Sequence, residues 1–259
     1  MNSPVRAKKH LGQHFLKDEQ IAQSIVNSIT QKHQETNVLE IGPGMGVLTK
    51  YLIKNPNYQT SAIDIDRESI DYLHVKFPEL KDRIISGDFL KLSLDELFSE
   101  KFIVIGNFPY NISSQILFKV LEHKNLVTEV VGMFQKEVAE RIASVPKKKA
   151  YGILSVFMQA YYTVEYLFTV NEDVFDPPPK VKSAVIRFTR NENLRLNCNE
   201  ELFVKVVKTG FNQRRKTLRN SLKSLLPLNA DAIPFLTQRA EELSYREFEH
   251  LTNCIEGSH

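Results

Sequence analysis

Asn107-Phe108-Pro109-Tyr110 follows directly on the apolar run Phe102-Ile103-Val104-Ile105-Gly106. These residue types at the end of a strand suit the methylation of a planar amino group. An exocyclic amine such as adenine N6 is a poor nucleophile, because its lone pair is delocalised into the ring. The Asn107 side-chain oxygen and a backbone carbonyl freed by Pro109 would accept both amine hydrogens, favouring a pyramidal nitrogen whose lone pair faces an electrophilic methyl. Such acceptors must be fixed in advance where charge develops. Tyr110 would supply a flat apolar face for a base taken out of its stack. Alone, Asn-x-Pro-Tyr also reads as an ordinary turn, since both Asn and Pro favour turns after a strand. The segments upstream shift that balance.

Asn37-Val38-Leu39-Glu40-Ile41 runs into Gly42-Pro43-Gly44-Met45-Gly46, and helical spacing begins at once with Val47, Leu48, Tyr51 and Leu52. A strand, a glycine turn and a helix place a ligand crevice at the strand ends of an open α/β sheet. Val47 breaks the G-x-G-x-x-G pattern, which weakens a nicotinamide reading. Asp64, 22 residues after Gly42, stands at the end of the next strand, suited to ribose hydroxyls. Gly87-Asp88-Phe89 closes a third strand with a carboxylate for an adenine amino group and an aromatic face beside it. Any one acid here reads by default as a helix cap or a solvated turn residue. Three consecutive strands ending in glycine turn, acid and acid, before a fourth ending in the tetrapeptide, point to S-adenosylmethionine feeding an amine.

The elements that must carry these residues alternate in type. Candidate strands are Asn37 to Ile41, Thr60 to Ile65, Arg83 to Ser86, Phe102 to Ile105 and Glu129 to Phe134. Helical spacing falls between them in Ile21, Ile25, Val26 and Ile29 and in Ser114 to Leu121. That alternation predicts a mostly parallel sheet covered by helices. The run Tyr151 to Tyr162 is apolar on most sides and reads as a buried helix packed on the sheet. Two β-like runs, Tyr166 to Val170 and Ala184 to Phe188, frame the Pro-rich Asp176 to Lys180 and could pair as an antiparallel edge. The polar stretch Asn191 to Glu200 then breaks the pattern and helices follow, so the domains are read as 1–190 and 191–259.

Composition narrows the class. A chain of 259 residues with 42% hydrophobic and 25% charged residues has the makeup of a folded protein of one large domain and a small appendage. Cys198 and Cys254 lack metal-ligand spacing, which argues against a zinc site or a disulfide framework. No apolar block follows Arg6, Lys8 and Lys9, so we read a protein neither exported nor membrane-embedded, and place it in the cytoplasm. The net charge of +3 conceals an uneven distribution. From Glu200 to Leu226 seven Lys/Arg face two Glu, whereas from Pro227 to His259 two Arg face six acids. A concentrated basic segment is the footprint of a polyanion. Lys147 to Lys149 reads as a solvated loop.

With these residues in view, the chain resembles the KsgA-type ribosomal RNA adenine dimethyltransferases over nearly its whole length. The similarity is carried by Lys9-His10-Leu11-Gly12-Gln13-His14-Phe15-Leu16, with His14 in a slot usually held by Asn, and by Glu40-Ile41-Gly42-Pro43-Gly44. It continues in the tetrapeptide, with Phe108 where Leu or Ile is usual, and in Phe175-Asp176-Pro177-Pro178-Pro179-Lys180-Val181. Phe211-Asn212-Gln213-Arg214-Arg215-Lys216-Thr217-Leu218-Arg219-Asn220 completes it. The resemblance implies a class I S-adenosylmethionine-dependent methyltransferase fold, Rossmann-like with helices on both faces of a mostly parallel sheet, plus a small all-α C-terminal domain that binds RNA. It also implies cofactor contacts at His14, Leu16, Gly42, Asp64, Asp88 and Asn107, and catalytic roles for Asn107, Pro109, Tyr110 and Phe175. Phe175 would flank the target base opposite Tyr110, although a core aromatic at a strand end is a serious competing reading. Lys180, Lys182, Arg214, Arg215, Lys216 and Arg219 would bind phosphates, against the alternative of a solvated helix face for the C-terminal group. No metal is implied.

The activity implied is dimethylation at N6 of two adjacent adenines in the terminal hairpin loop of small-subunit (16S) rRNA, in an assembling 30S particle, by a monomer. The rival enzyme is the antibiotic-resistance branch that methylates an adenine in large-subunit rRNA, which the Phe211-to-Asn220 segment disfavours. A reading of another class is an assembly checkpoint, an RNA-binding protein whose catalysis is incidental.

Overall fold

A computed structural model of the chain describes residues 5–31, 35–192 and 195–257. Its strands, in chain order, are β1 (Phe15–Leu16), β2 (Thr36–Ile41), β3 (Tyr58–Asp64), β4 (Ile84–Ser86), β5 (Phe102–Asn107), β6 (Val127–Gln135), β7 (Tyr162–Val170), β8 (Phe175–Asp176) and β9 (Ser183–Arg190). The helices are α1 (Glu19–Asn27), α2 (Thr49–Leu52), α3 (Arg67–Lys76), α4 (Leu94–Leu97), α5 (Ser113–Glu122), α6 (Lys136–Ala143), α7 (Ile153–Tyr161), α8 (Glu200–Asn212), α9 (Leu218–Ser221) and α10 (Tyr245–Glu256).

Seven strands form one sheet in the order β4-β3-β2-β5-β6-β9-β7. β2 pairs in parallel with β3 and with β5, and the parallel set extends to β4 on one side and β6 on the other. The chain thus builds outward in both directions from β2, and the topological switch lies between β2 and β5, where α/β sheets leave a ligand crevice. Val38, Leu39, Val104 and Ile105 are all fully buried, so both faces of these central strands are covered, as parallel sheets require. Ala22, Ile25 and Val26 of α1 are buried at helical spacing, and Asp18 caps that helix by accepting from the Ile21 N–H at 2.9 Å. β9 runs antiparallel to β6 and borders β7 at the sheet edge. The two β-like runs flanking the Pro-rich segment are therefore neighbours.

The residues fall into two compact units, Met1–Ala139 with Glu165–Arg190, and Glu140–Val164 with Asn191–His259. The first holds the sheet. The second is helical and takes in Glu140–Val164, ahead of the C-terminal residues. The apolar run from Tyr151 is helical only over Ile153–Tyr161, and Tyr162 already opens β7. α7 packs against α8 and α10, which corrects its expected place on the sheet. A helix apolar on nearly every side carries no periodicity to say which neighbour it will meet. Of the polar stretch Asn191 to Glu200, residues 193 and 194 lie outside the described residues. Asn199 ends the stretch as the cap of α8, accepting from the Leu202 N–H at 3.1 Å.

The ring of Phe108, 1% exposed, lies beneath the tetrapeptide and packs edge-on against Phe134 with centroids 5.2 Å apart. Glycines on two neighbouring strands make room for it. A Cβ at Gly132 would stand 2.2 Å from Phe108 Cε2, and one at Gly106 would stand 2.8 Å from Cε1 and 2.5 Å from the Ile41 carbonyl oxygen. Gly132→Ala should therefore cost about 1–3 kcal/mol by overpacking. Phe108→Leu in the same chain should recover part of that loss in denaturant titrations; strictly additive effects would show that the two sites do not compete for space.

Candidate active site

At the switch point β2 delivers Gly42 and Gly44, with φ of 66° and 53°, a backbone that residues with a Cβ rarely adopt. A Cβ at Gly44 would also lie 2.8 Å from Phe15 Cε1, so the bare turn admits close neighbours. β3 delivers Asp64, which is 7% exposed. Its Oδ2 accepts from the Gly44 N–H at 3.3 Å and its Oδ1 from the Asp66 N–H at 2.9 Å. Burial pushes this carboxyl up, and the two backbone donors oppose that shift. Asp88, after β4, accepts from the Leu90 N–H at 3.0 Å and is partly exposed. Gly42, Asp64, Asp88, Phe89, Asn107 and Tyr110 all line one cleft. Ile65, at the same cleft, is 55% exposed and offers an apolar side chain to a flat ring.

A segment ahead of β1 crosses this cleft, contributing Leu11 to Phe15 to its walls. Asp66 holds the segment down. Its carboxylate accepts from Lys8 Nζ and from Gln13 Nε2 at 3.0 Å, while the Lys8 N–H donates to Gln13 Oε1 at 2.8 Å. Asp66 also caps α3 through the Glu68 N–H at 3.0 Å. Burial pushes its carboxyl up, but Lys8, Gln13 and the Glu68 N–H together outweigh that and hold it below the ordinary range. Further along, β1 pairs antiparallel with β8, setting Phe15 opposite Asp176 and Leu16 opposite Phe175. His14 Nδ1 lies 2.7 Å from the Pro177 carbonyl oxygen, and a carbonyl only accepts, so that nitrogen carries a hydrogen. The His14 ring stacks on Tyr110 with centroids 5.4 Å apart and planes 28° from parallel.

The tetrapeptide is held from several sides. Asn107 Nδ2 donates to the His14 carbonyl at 2.8 Å, leaving Oδ1 as the end of the amide available to a ligand. The Tyr110 hydroxyl hydrogen-bonds Ser183 Oγ, and burial raises its pKa. The expected second acceptor needs revision. The Pro109 carbonyl already takes the Ile112 N–H at 3.1 Å in a turn, whereas the carbonyl of Phe108, joined to the proline nitrogen, accepts no hydrogen bond among the described residues.

Two further expectations are corrected. Phe175 is 1% exposed and Leu16 4% exposed, and both sit in one apolar cluster with Ile25 and Val185. Neither lines the cleft, because the β1–β8 pairing turns both inward. Phe175 therefore offers no stacking face here, and Leu16 holds the segment rather than a ligand by its side chain. Lys180 and Lys182 are exposed in the sheet unit. In the helical unit Arg215 and Lys216 are exposed, Arg219 pairs with Asp231 at 3.2 Å, and Arg214 is occupied internally. Arg214 Nε pairs with Glu241 while Nη2 donates to the carbonyls of Lys149 at 2.7 Å and Tyr151 at 3.0 Å. That side chain therefore clamps its own unit. Sequence reasoning missed Lys8, Gln13, Asp66 and Ser183. The only available signal was Asp66 standing just before a helix as a cap, since pairing over 58 residues of separation leaves no local trace.

Glu40, 1% exposed, accepts from Thr49 Oγ1 at 2.6 Å, and burial pushes its carboxyl from the ordinary 4.5 up to about 8. Below 4.5 it is neutral whether the chain is folded or not; above that the unfolded chain ionises first, so its contribution to stability falls as pH rises to about 8. At roughly 1.4 kcal/mol per unit of pKa, melting temperature should fall over this window, and Glu40→Gln should flatten the fall. An identical profile would mean that Glu40 ionises normally. Asp66→Asn keeps a good cap but removes the charge facing Lys8, and it should raise the Kd for S-adenosylmethionine severalfold in calorimetry. An unchanged Kd would mean that the crossing segment does not help hold a ligand.

Residues 5–256 match the family model described as ribosomal RNA adenine dimethylase. The chain is 60% identical to "Ribosomal RNA small subunit methyltransferase A" of Cytophaga hutchinsonii, over 98% of each chain. It is 58% identical to the protein of the same name from Flavobacterium johnsoniae, over 98% of this chain and 97% of that one. Among solved structures it resembles a dimethyladenosine transferase from Plasmodium falciparum, with a TM-score of 0.79, 27% identity, and coverage of 95% of this chain and 98% of that one. The 23S rRNA methyltransferase ErmE shares the fold, with a TM-score of 0.71 at 23% identity over 93% of this chain and 99% of that one. The sheet built outward from β2, with its cleft of glycine turn, Asp64, Asp88 and Asn107, is thus the class I methyltransferase fold, and the chain belongs to the ribosomal RNA adenine dimethylase family.

Proposed function

We propose that this chain transfers methyl groups from S-adenosylmethionine to N6 of two adjacent adenines of small-subunit rRNA, giving N6,N6-dimethyladenosine. The observation that carries the reading is the orientation of the Asn107 amide, whose donor end is taken by the His14 carbonyl at 2.8 Å so that Oδ1 is the end left for a substrate. When bound, S-adenosylmethionine supplies an electrophilic methyl on a sulfonium. The Gly42–Gly44 turn admits it without a Cβ in the way, Asp64 keeps lone pairs for ribose hydroxyls, and Asp88 with Phe89 receives an adenine edge and face.

Asn107 Oδ1 and the Phe108 carbonyl accept the N6 hydrogens and draw the nitrogen toward a pyramid, acting where charge develops. Tyr110 carries the base, and its bond to Ser183 fixes the ring. After the first methyl the amine offers one hydrogen, so the second transfer relies on one of these two acceptors. Lys180, Lys182, Arg215 and Lys216 contribute phosphate contacts, and residues 191–259 make the small helical RNA-binding part. The substrate is an assembling 30S particle and its terminal hairpin loop, met in the cytoplasm by a monomer. Among the described residues no helix is long and apolar enough to cross a membrane.

A large-subunit target is disfavoured because relatives 53% to 60% identical carry the small-subunit name, whereas ErmE at 23% shares only the fold. Asn107→Ala should lower labelled methyl transfer to unmethylated small subunits by roughly 100-fold or more, in line with losing one preorganised hydrogen-bonding group, with RNA binding retained. Nucleoside mass analysis should find dimethyladenosine at two neighbouring positions. Label confined to large-subunit rRNA would overturn the target, and wild-type transfer by Asn107→Ala would overturn the assigned chemistry.

A further inference from the structure

Arg214 spends much of its guanidinium on a loop of its own unit. Besides pairing with Glu241, it donates to the carbonyls of Lys149 at 2.7 Å and Tyr151 at 3.0 Å. The loop between α6 and α7 is fastened elsewhere too. The Lys147 N–H reaches the Glu241 carbonyl at 2.9 Å and the Tyr151 N–H the Lys148 carbonyl at 3.0 Å. Gln159 Nε2 donates to the carbonyls of Ile142 at 3.0 Å and Ser144 at 2.8 Å. Lys147 is held at a φ of 71°, a left-handed backbone that costs a side-chain-bearing residue energy and persists only when its surroundings fix it. A loop with no task beyond staying in water has little need of this many anchors.

What the loop presents is charge. Lys147, Lys148 and Lys149 are exposed, as are Arg215 and Lys216 directly after the clamping arginine. None of these five side chains forms an ion pair or hydrogen bond among the described residues. Arg214 joins the two stretches, since its backbone leads into Arg215 and its side chain ends on the Lys149 carbonyl. We propose that Lys147–Lys149 form, with Arg215 and Lys216, one phosphate-binding surface for the RNA backbone, and that Arg214 is a positioning residue that holds the lysine loop beside its own neighbours. Compact ammonium groups on a fastened loop suit phosphates as point charges and read no base sequence. The inference deepens the RNA reading of the preceding subsection and rests on it.

The test measures binding of small ribosomal subunits lacking the adenine methyl groups as a function of salt, using the full chain. Lys147→Ala, Lys148→Ala and Lys149→Ala are combined. A control combines Lys76→Ala, Lys81→Ala and Lys101→Ala, exposed lysines of the sheet unit. If the loop meets phosphates, the slope of log affinity against log salt becomes shallower by about 1 or more. The control leaves the slope unchanged, and S-adenosylmethionine binds both variants as it does the wild type. Arg214→Ala should reproduce part of the shallower slope and speed amide exchange across residues 144–150, a readout that mere loss of charge would not move. An unchanged slope in the loop variant, or an equal fall in the control, overturns the proposal while wild-type binding upholds the RNA reading. Failure of the wild-type protein to bind these particles overturns that reading itself.

Discussion

One hydrogen bond decides what the cleft can do. The Asn107 amide has a donor end and an acceptor end, and the His14 carbonyl, 2.8 Å from Nδ2, selects which is left for a ligand. That carbonyl belongs to a short segment with little structure of its own, so everything that fixes the segment also fixes the amide. Asp66 pins its start through Lys8 and Gln13, and the two-residue pairing of β1 with β8 pins its end. The inward burial of Leu16 and Phe175 supplies the apolar weight that makes so short a pairing persist. The Leu16 and Phe175 side chains therefore hold the segment from within the core.

Below the tetrapeptide the sheet solves a packing problem. Phe108 carries a bulky ring, and the space for it comes from Gly106 and Gly132 on adjacent parallel strands. The register sets these glycines directly side by side. The side chain goes into the core while the backbone carbonyl accepts no hydrogen bond among the described residues, so the bulk of the ring is absorbed on the face away from the cleft.

The sheet was legible because strands buried on both faces appear as unbroken apolar runs, and because the turn after each has chemistry of its own: glycines at residues 42 to 46, acids at 64 and 88, the tetrapeptide at 107. Such local signals also located most of the cleft. What stayed hidden depends on long-range pairing. Nothing in Leu16 or Phe175 announces that each covers the other, and a basic run such as Arg214 to Arg219 looks uniform although Glu241 and Asp231 each claim one member. α7 was visible as a helix, but its partners were not, since a side chain that is apolar all round fits any apolar neighbour.

The stack of His14 on Tyr110 gives the cleft a handedness. A ring has two faces, and one face of Tyr110 is already covered by imidazole at a centroid distance of 5.4 Å. Phe175, turned inward, is not among the rings that line the cleft. A flat guest that stacks on Tyr110 would use the side away from His14, extending a pile of two rings to three.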